Sequence, residues 1–101
     1  MIIVYITCAD SKEAQKIGKD LLSKRLIACS NVFPIKSLYR WKGKLVNDKE
    51  YVLLGKTTEN KFHNIIKVVN DLHSYDIPCI EKIKVKSNHA FAQWVKNEVK
   101  S

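Results

Sequence analysis

Cysteine, glycine, proline and methionine are scarce in this chain of 101 residues, which holds three, three, two and one of them. The cysteines stand at positions 8, 29 and 79, with no C-x-x-C pair. That spacing argues against a zinc ribbon, a thioredoxin-type motif and a disulfide framework. No Pro/Gly/Ser linker, repeat or low-complexity tract divides the sequence, so one domain spanning residues 1–101 is expected. Long apolar runs are missing too, and nothing approaches the roughly 20 residues of a membrane-spanning helix. "MIIVYITC" has neither a basic leader nor a cleavage site. A cytoplasmic location, where thiols stay reduced, is the expectation. Acidic residues are outnumbered, 10 against 18 basic, giving a net charge of +8. That balance favours solubility and anionic partners without fixing a fold.

What is present describes a globular protein, 46% apolar and 28% charged. The β-branched run "IIVYITC" (2–8) predicts a strand. In "DSKEAQKIGKDLLSKR", Asp10 or Ser11 can cap a helix, with Glu13 reaching back and Ala14, Ile17, Leu21 and Leu22 on one face. "LIACSNVFPIKSLYRW" (26–41) returns to strand character, with Pro34 at a bulge or edge. Gly43 supplies a turn into a second strand, "LVNDKEYVLLGKT" (45–57). A helix follows over "TENKFHNIIKVVNDLH", where Phe62, Ile65, Ile66, Val69 and Leu72 recur at helical spacing. "IPCIEKIKVK" (77–86) reads as a strand and "NHAFAQWVKNEV" (88–99) as a last helix capped by Ser87 or Asn88. The order β-α-β-β-α-β-α specifies an α+β, ferredoxin-like split β-α-β sandwich with an antiparallel sheet, a long hairpin and an added C-terminal helix. "IIVYI" and "YVLL" are apolar at successive positions, so both sheet faces call for burial. Self-association through the sheet meets that need.

Several motifs resolve into plain structure. "LLGKTT" (53–58) resembles the end of a phosphate-binding loop, but Glu50 stands where its first glycine belongs. Lys56 is left as a strand-end cation and Thr57 or Thr58 as a helix cap. "VYITCA" resembles the shorter signature of an RNA-recognition module, and "DKEYVLLGK" lacks the longer one. Lys82, Lys84 and Lys86 share a strand face, as edge protection or as a phosphate contact. Cys29 and His73 are suited to copper or zinc, and the topology sets Cys8 and Cys79 close together. "HSYDIPCIEK" (73–82) gathers His73, Tyr75, Asp76 and Cys79, yet Pro78 makes most of it turn chemistry. Cys29, His73 and Asp76 can be written as nucleophile, base and orienter, but no spacing supports catalysis, and the chain reads as a non-enzyme. Tyr39, Arg40 and Trp41 beside Gly43 read as subunit contacts or a pocket wall.

Three stretches together resemble the CutA family of divalent-cation-tolerance proteins. "KRLIACSN" (24–31) is similar to its Arg-Leu-x-Ala-Cys-x-Asn segment. "YRWKGKLVNDKE" (39–50) is similar to its Tyr-x-Trp-x-Gly-Lys hairpin and the acidic residues after it. "KTT" with "HSYDIPCI" is similar to its Lys-Thr strand end and its His-Pro-Tyr-x-x-Pro-Glu-Ile turn. The resemblance spans nearly the whole chain. It implies a PII-like homotrimer with hairpins paired across subunits, and a role in tolerance of divalent metals, copper above all, with no required cofactor. By position it places Asn31, Tyr39, Trp41, Glu50, Lys56 and Tyr75 as ligand-binding residues of an inter-subunit cleft, and Cys29 and His73 as metal ligands. Ser74 replaces the family's proline and Cys79 its glutamate. The expected function is thus a trimeric regulator or buffer binding a divalent cation or small ligand. The alternative is a basic module for nucleic acid or phosphate, and neither reading involves a membrane.

Overall fold

A computed structural model describes residues 1–100. Its elements are β1 (Ile2–Cys8), α1 (Ser11–Ser23), β2 (Cys29–Trp41), β3 (Lys44–Thr57), a short 3-10 turn (Glu59–Lys61), α2 (Phe62–Leu72), β4 (Ile80–Lys84) and α3 (His89–Glu98). The four strands form one sheet in the order β2-β3-β1-β4, with every neighbouring pair antiparallel. This is the expected split β-α-β arrangement with an added helix.

Alternation along the strands decides which side chains meet the helices. Ile2, Val4, Ile6 and Cys8 of β1 are buried, and Ile6 stands opposite Leu53 of β3. They form one core with Ala14, Ile17 and Leu21 of α1 and Ile65 and Val69 of α2. Leu22, expected on that face, is 39% exposed. It stands a further 100° round the helix from Leu21, past the buried stripe. Gly55 lets the chain pass closely, because a Cβ there would lie 2.9 Å from Cγ2 of Ile27.

The stretch expected as strand from residue 26 begins its ladder only at Cys29. Leu26 is drawn back to close α1 instead: its N–H bonds the Leu21 carbonyl at 2.9 Å, and Arg25, at φ 54, bonds that of Leu22. This is a Schellman closure with arginine in the position glycine usually takes. Thr57 is not a helix cap, since its hydroxyl donates to the buried Leu26 carbonyl at 2.7 Å. Thr58 and Asn88 stand at cap positions without a side-chain cap bond. Strand β4 is shorter than its expected 77–86 span and lies at the sheet edge. Its Lys82 pairs with Glu59 at 2.8 Å and sits over the Phe62 ring. Pro34 likewise falls on an edge strand, where its missing N–H is harmless.

Two features shape the opposite face. β1 pairs with β3 only over residues 51–57, whereas the β2–β3 ladder runs on to Trp41 and Lys44. Residues 35–50 therefore project as a two-stranded ribbon, and the longest dimension reaches 45 Å. Lys42 and Gly43, at φ 49 and 79, form its two-residue turn, whose left-handed residues match the strand twist. On the face away from α1 and α2, Val52 is buried outside the main core cluster, as are Val95 and Val99. Helix α3 contacts β3 and is anchored at its C-terminal end by the Arg25 guanidinium, which donates to the Glu98 carbonyl at 2.8 Å. Phe33 and Ile83, on the same face, remain 38% and 49% exposed.

Candidate functional site

One face of the ribbon, the end of β1 and the turn between α2 and β4 line a cleft of about 490 Å³. Thr7 comes from β1, Tyr39, Trp41 and Glu50 from the ribbon, and Ser74–Ile77 and Cys79 from the turn. Tyr75 donates its hydroxyl to Oε2 of Glu50 at 2.6 Å, and Glu50 is only 6% exposed. Burial, reinforced by that bond and by the carboxylate's charge, pushes the Tyr75 phenol well above its ordinary range. Tyr39 donates to Oδ2 of Asp48 at 3.1 Å, and desolvation together with Asp48 raises its phenol too. Burial and then the Glu81 carboxylate raise the Cys79 thiol. Among the described residues no lysine or arginine lines the cleft.

His73 stands behind this wall with its side chain fully buried. Its Nε2 lies 2.7 Å from the Thr7 carbonyl, and its Nδ1 accepts the Tyr75 N–H at 3.1 Å. The two contacts place the ring proton on Nε2. The rings of His73 and Tyr75 are 4.6 Å apart. Glu13, read from sequence only as a capping residue, also ties the turn down. Its Oε1 accepts from the Ala9 N–H and its Oε2 from the Ser74 N–H, both at 2.9 Å.

Tyr39, Trp41, Glu50 and Tyr75 thus share one cleft, as the sequence grouped them. Asn31 and Lys56 bond each other instead, and Cys29 stands opposite Lys56 in the ladder. Lys56 faces Ile3 of β1, while the cleft begins at Thr7, about 13 Å farther along the strand. Within one chain, Cys29 and His73 therefore do not meet. Cys8 and Cys79 do come from neighbouring strand ends, as expected, but their side chains take opposite faces of the sheet. Extending the pairing of Ile6 with Ile80 by one residue puts Cys79 beside Thr7, in the cleft, while Cys8 is buried on the helix side. One residue of register moves a side chain to the other face. Thr7 and Ile77 were not anticipated, since neither type signals chemistry in isolation. His63 and His89 are exposed on their helices, as expected.

A family model described as CutA1 divalent ion tolerance protein matches residues 2–98. The chain belongs to the CutA1 family. It is 42% identical over 100 residues to the divalent-cation tolerance protein CutA of Thermotoga maritima, covering 98% of this chain and 99% of that one. Among solved structures, it is similar to the periplasmic divalent cation tolerance protein CutA from Archaeoglobus fulgidus. The TM-score is 0.96 at 38% identity, over 99% of this chain and 100% of the other. The PII-like protein CutA from Nostoc sp. PCC 7120 in apo form superposes with a TM-score of 0.91 at 25% identity, over 99% of this chain and 98% of that one. The CutA resemblance carried by the three sequence segments is borne out, and so is the fold it implied. No helix among the described residues is long and apolar enough to cross a membrane.

Proposed function

We propose that this protein is a cytoplasmic divalent-cation tolerance protein, a homotrimer of one-domain chains that binds copper or another divalent cation in the cleft and acts as a regulator or buffer rather than as an enzyme. One observation carries the reading. In a chain of net charge +8, the cleft is lined by the carboxylates of Glu50 and Asp76 and the Cys79 thiol, with no lysine or arginine among its described lining residues. Such a lining attracts a cation where the surrounding surface repels one. The family's naming for divalent-cation tolerance agrees with it. Cys29, Asn31 and Lys56 share the open sheet face by register. We assign them to the composite cleft formed when a neighbouring subunit packs on that face, with His73 backing the wall of that cleft through the Tyr75 N–H.

Copper titration of the purified protein by calorimetry tests the reading, in parallel with Glu50→Gln and a Cys29→Ser/His73→Ala double variant. Weakened binding in Glu50→Gln is the expected result, and unchanged affinity in both variants sinks the assignment. A second reading rests on Lys12, Lys16 and Lys19, which line one side of α1. It requires binding to nucleic acid or phosphate that falls steeply with salt.

A further inference from the structure

A separate set of donors lies behind the cleft, on the helix side of the sheet. Cys8 ends β1, Glu13 stands in the first turn of α1 and His73 caps the C-terminus of α2. One ligand atom from each lies within 4.8 Å of the other two. Glu13 Oε1 and His73 Nδ1 are 3.8 Å apart. In a tetrahedral zinc centre with bonds of about 2.0–2.3 Å, ligand atoms stand roughly 3.3–3.8 Å from one another. A contraction of about an ångström therefore closes the set round an ion.

The imidazole is already oriented for this role. With Nε2–H donating to the Thr7 carbonyl, Nδ1 holds the lone pair. A carbonyl on the far nitrogen is the usual support of a metal-bound histidine. The Tyr75 N–H, at 3.1 Å, holds that lone pair in the free protein and yields it to an ion. Glu13 is fixed by its two backbone N–H bonds and keeps further lone pairs free. Cys8 and His73 are fully buried, while the Glu13 side chain is 14% exposed, giving an ion one way in and a coordination position for water.

We propose that Cys8, Glu13 and His73 form a binding site for one borderline divalent cation of the zinc class, distinct from the acidic cleft. Thiolate, imidazole and carboxylate together select zinc or cobalt over magnesium or calcium. A cysteine thiol carries its proton at neutral pH until an ion displaces it. Binding forms the metal–sulfur bond and releases the thiol proton to solvent, one proton per ion.

Cobalt(II) titration of the reduced, full-length protein tests this site, followed by zinc(II) competition. The expected result is a thiolate-to-cobalt charge-transfer band that zinc abolishes, with one proton released per ion in weak buffer. Cys8→Ser should remove the band, and Glu13→Gln should weaken cobalt binding about tenfold or more. Cys29→Ser, Cys79→Ser and Glu50→Gln should leave the band unchanged. Should Cys8→Ser fail to fold by circular dichroism, Glu13→Gln, at a partly exposed position, carries the decision. Absence of the band in the parent overturns the site, as does a band that survives Cys8→Ser or follows Cys29 or Cys79. Full cobalt affinity in Glu13→Gln also overturns it and leaves the three residues a purely hydrogen-bonded joint. Glu50→Gln separates this outcome from the cleft reading, because it should alter copper binding and not the cobalt band.

Discussion

At the scale of single residues, Tyr75 joins the site to stability. Its hydroxyl is the donor to a carboxylate with almost no access to water. Tyr75→Phe leaves Glu50 short of a buried donor and should cost about 1–3 kcal/mol near neutral pH. The pH dependence has a definite sign. In the unfolded chain the phenol loses its proton near pH 10, while in the folded chain its value is raised. The stabilisation is complete below about pH 10 and is lost as pH rises beyond it, because the unfolded state then binds fewer protons. Urea unfolding of parent and variant at pH 8 and again near pH 11 checks this: the gap between them should narrow at the higher pH. A constant gap would show that the bond does not govern the titration. Family resemblance set Tyr75 and Glu50 among the residues of one inter-subunit cleft, but the bond between them within one chain is seen only in the folded structure. The partition of the cysteines was not legible, because a single residue of register decides which sheet face Cys8 or Cys79 occupies.

Elements were legible wherever a period of two or of 3.6 ran unbroken, and their ends were not. α1 shows both. Its start was readable from Asp10, whose side chain accepts the Glu13 N–H at 2.8 Å. Its end was hidden because Arg25, rather than glycine, takes the left-handed position, so Leu26 read as the first residue of a strand. Only the folded structure shows Leu26 and Ile27 entering the core before the ladder begins. The readable cap gives a prediction at this scale. Asp10→Ala should destabilise the protein by about 1 kcal/mol, seen as a lower urea midpoint with an unchanged slope. Because Glu13 reaches back to Ala9 from the same turn, fraying there should also loosen the Ser74 contact. Hydrogen exchange at the Ser74 amide should therefore accelerate with that of the first turn, and a Ser74 amide as protected as in the parent would show the turn to be held independently.

For the molecule as a whole, the ribbon of residues 35–50 is the feature that a lone subunit leaves without support. An isolated two-stranded ribbon is marginal in water. This one carries exposed apolar side chains on both faces: Leu38 and Leu45, 64% and 66% exposed, on one, and Tyr39 and Trp41 on the other. The sequence foreshadowed only the Tyr39–Trp41 side, read as subunit contacts or a pocket wall. Its successive apolar positions in "IIVYI" and "YVLL" lie outside the ribbon and could not show that the ribbon outruns β1. Pairing ribbons between subunits would satisfy both the open strand edges and the apolar faces. The double substitution Leu38→Lys/Leu45→Lys should leave the sheet and its core intact, since neither side chain belongs to the core. It should reduce the sedimenting species from three chains to one. The same ribbon supplies Tyr39, Trp41 and Glu50 to the cleft, so loss of assembly should also weaken copper binding there. The cobalt site at Cys8, Glu13 and His73 draws no ligand from the ribbon and should keep its affinity in the monomer. A parent that sediments as a single chain would refute pairing through the ribbon. A monomeric variant that binds copper with undiminished affinity would show instead that one chain completes the cleft by itself.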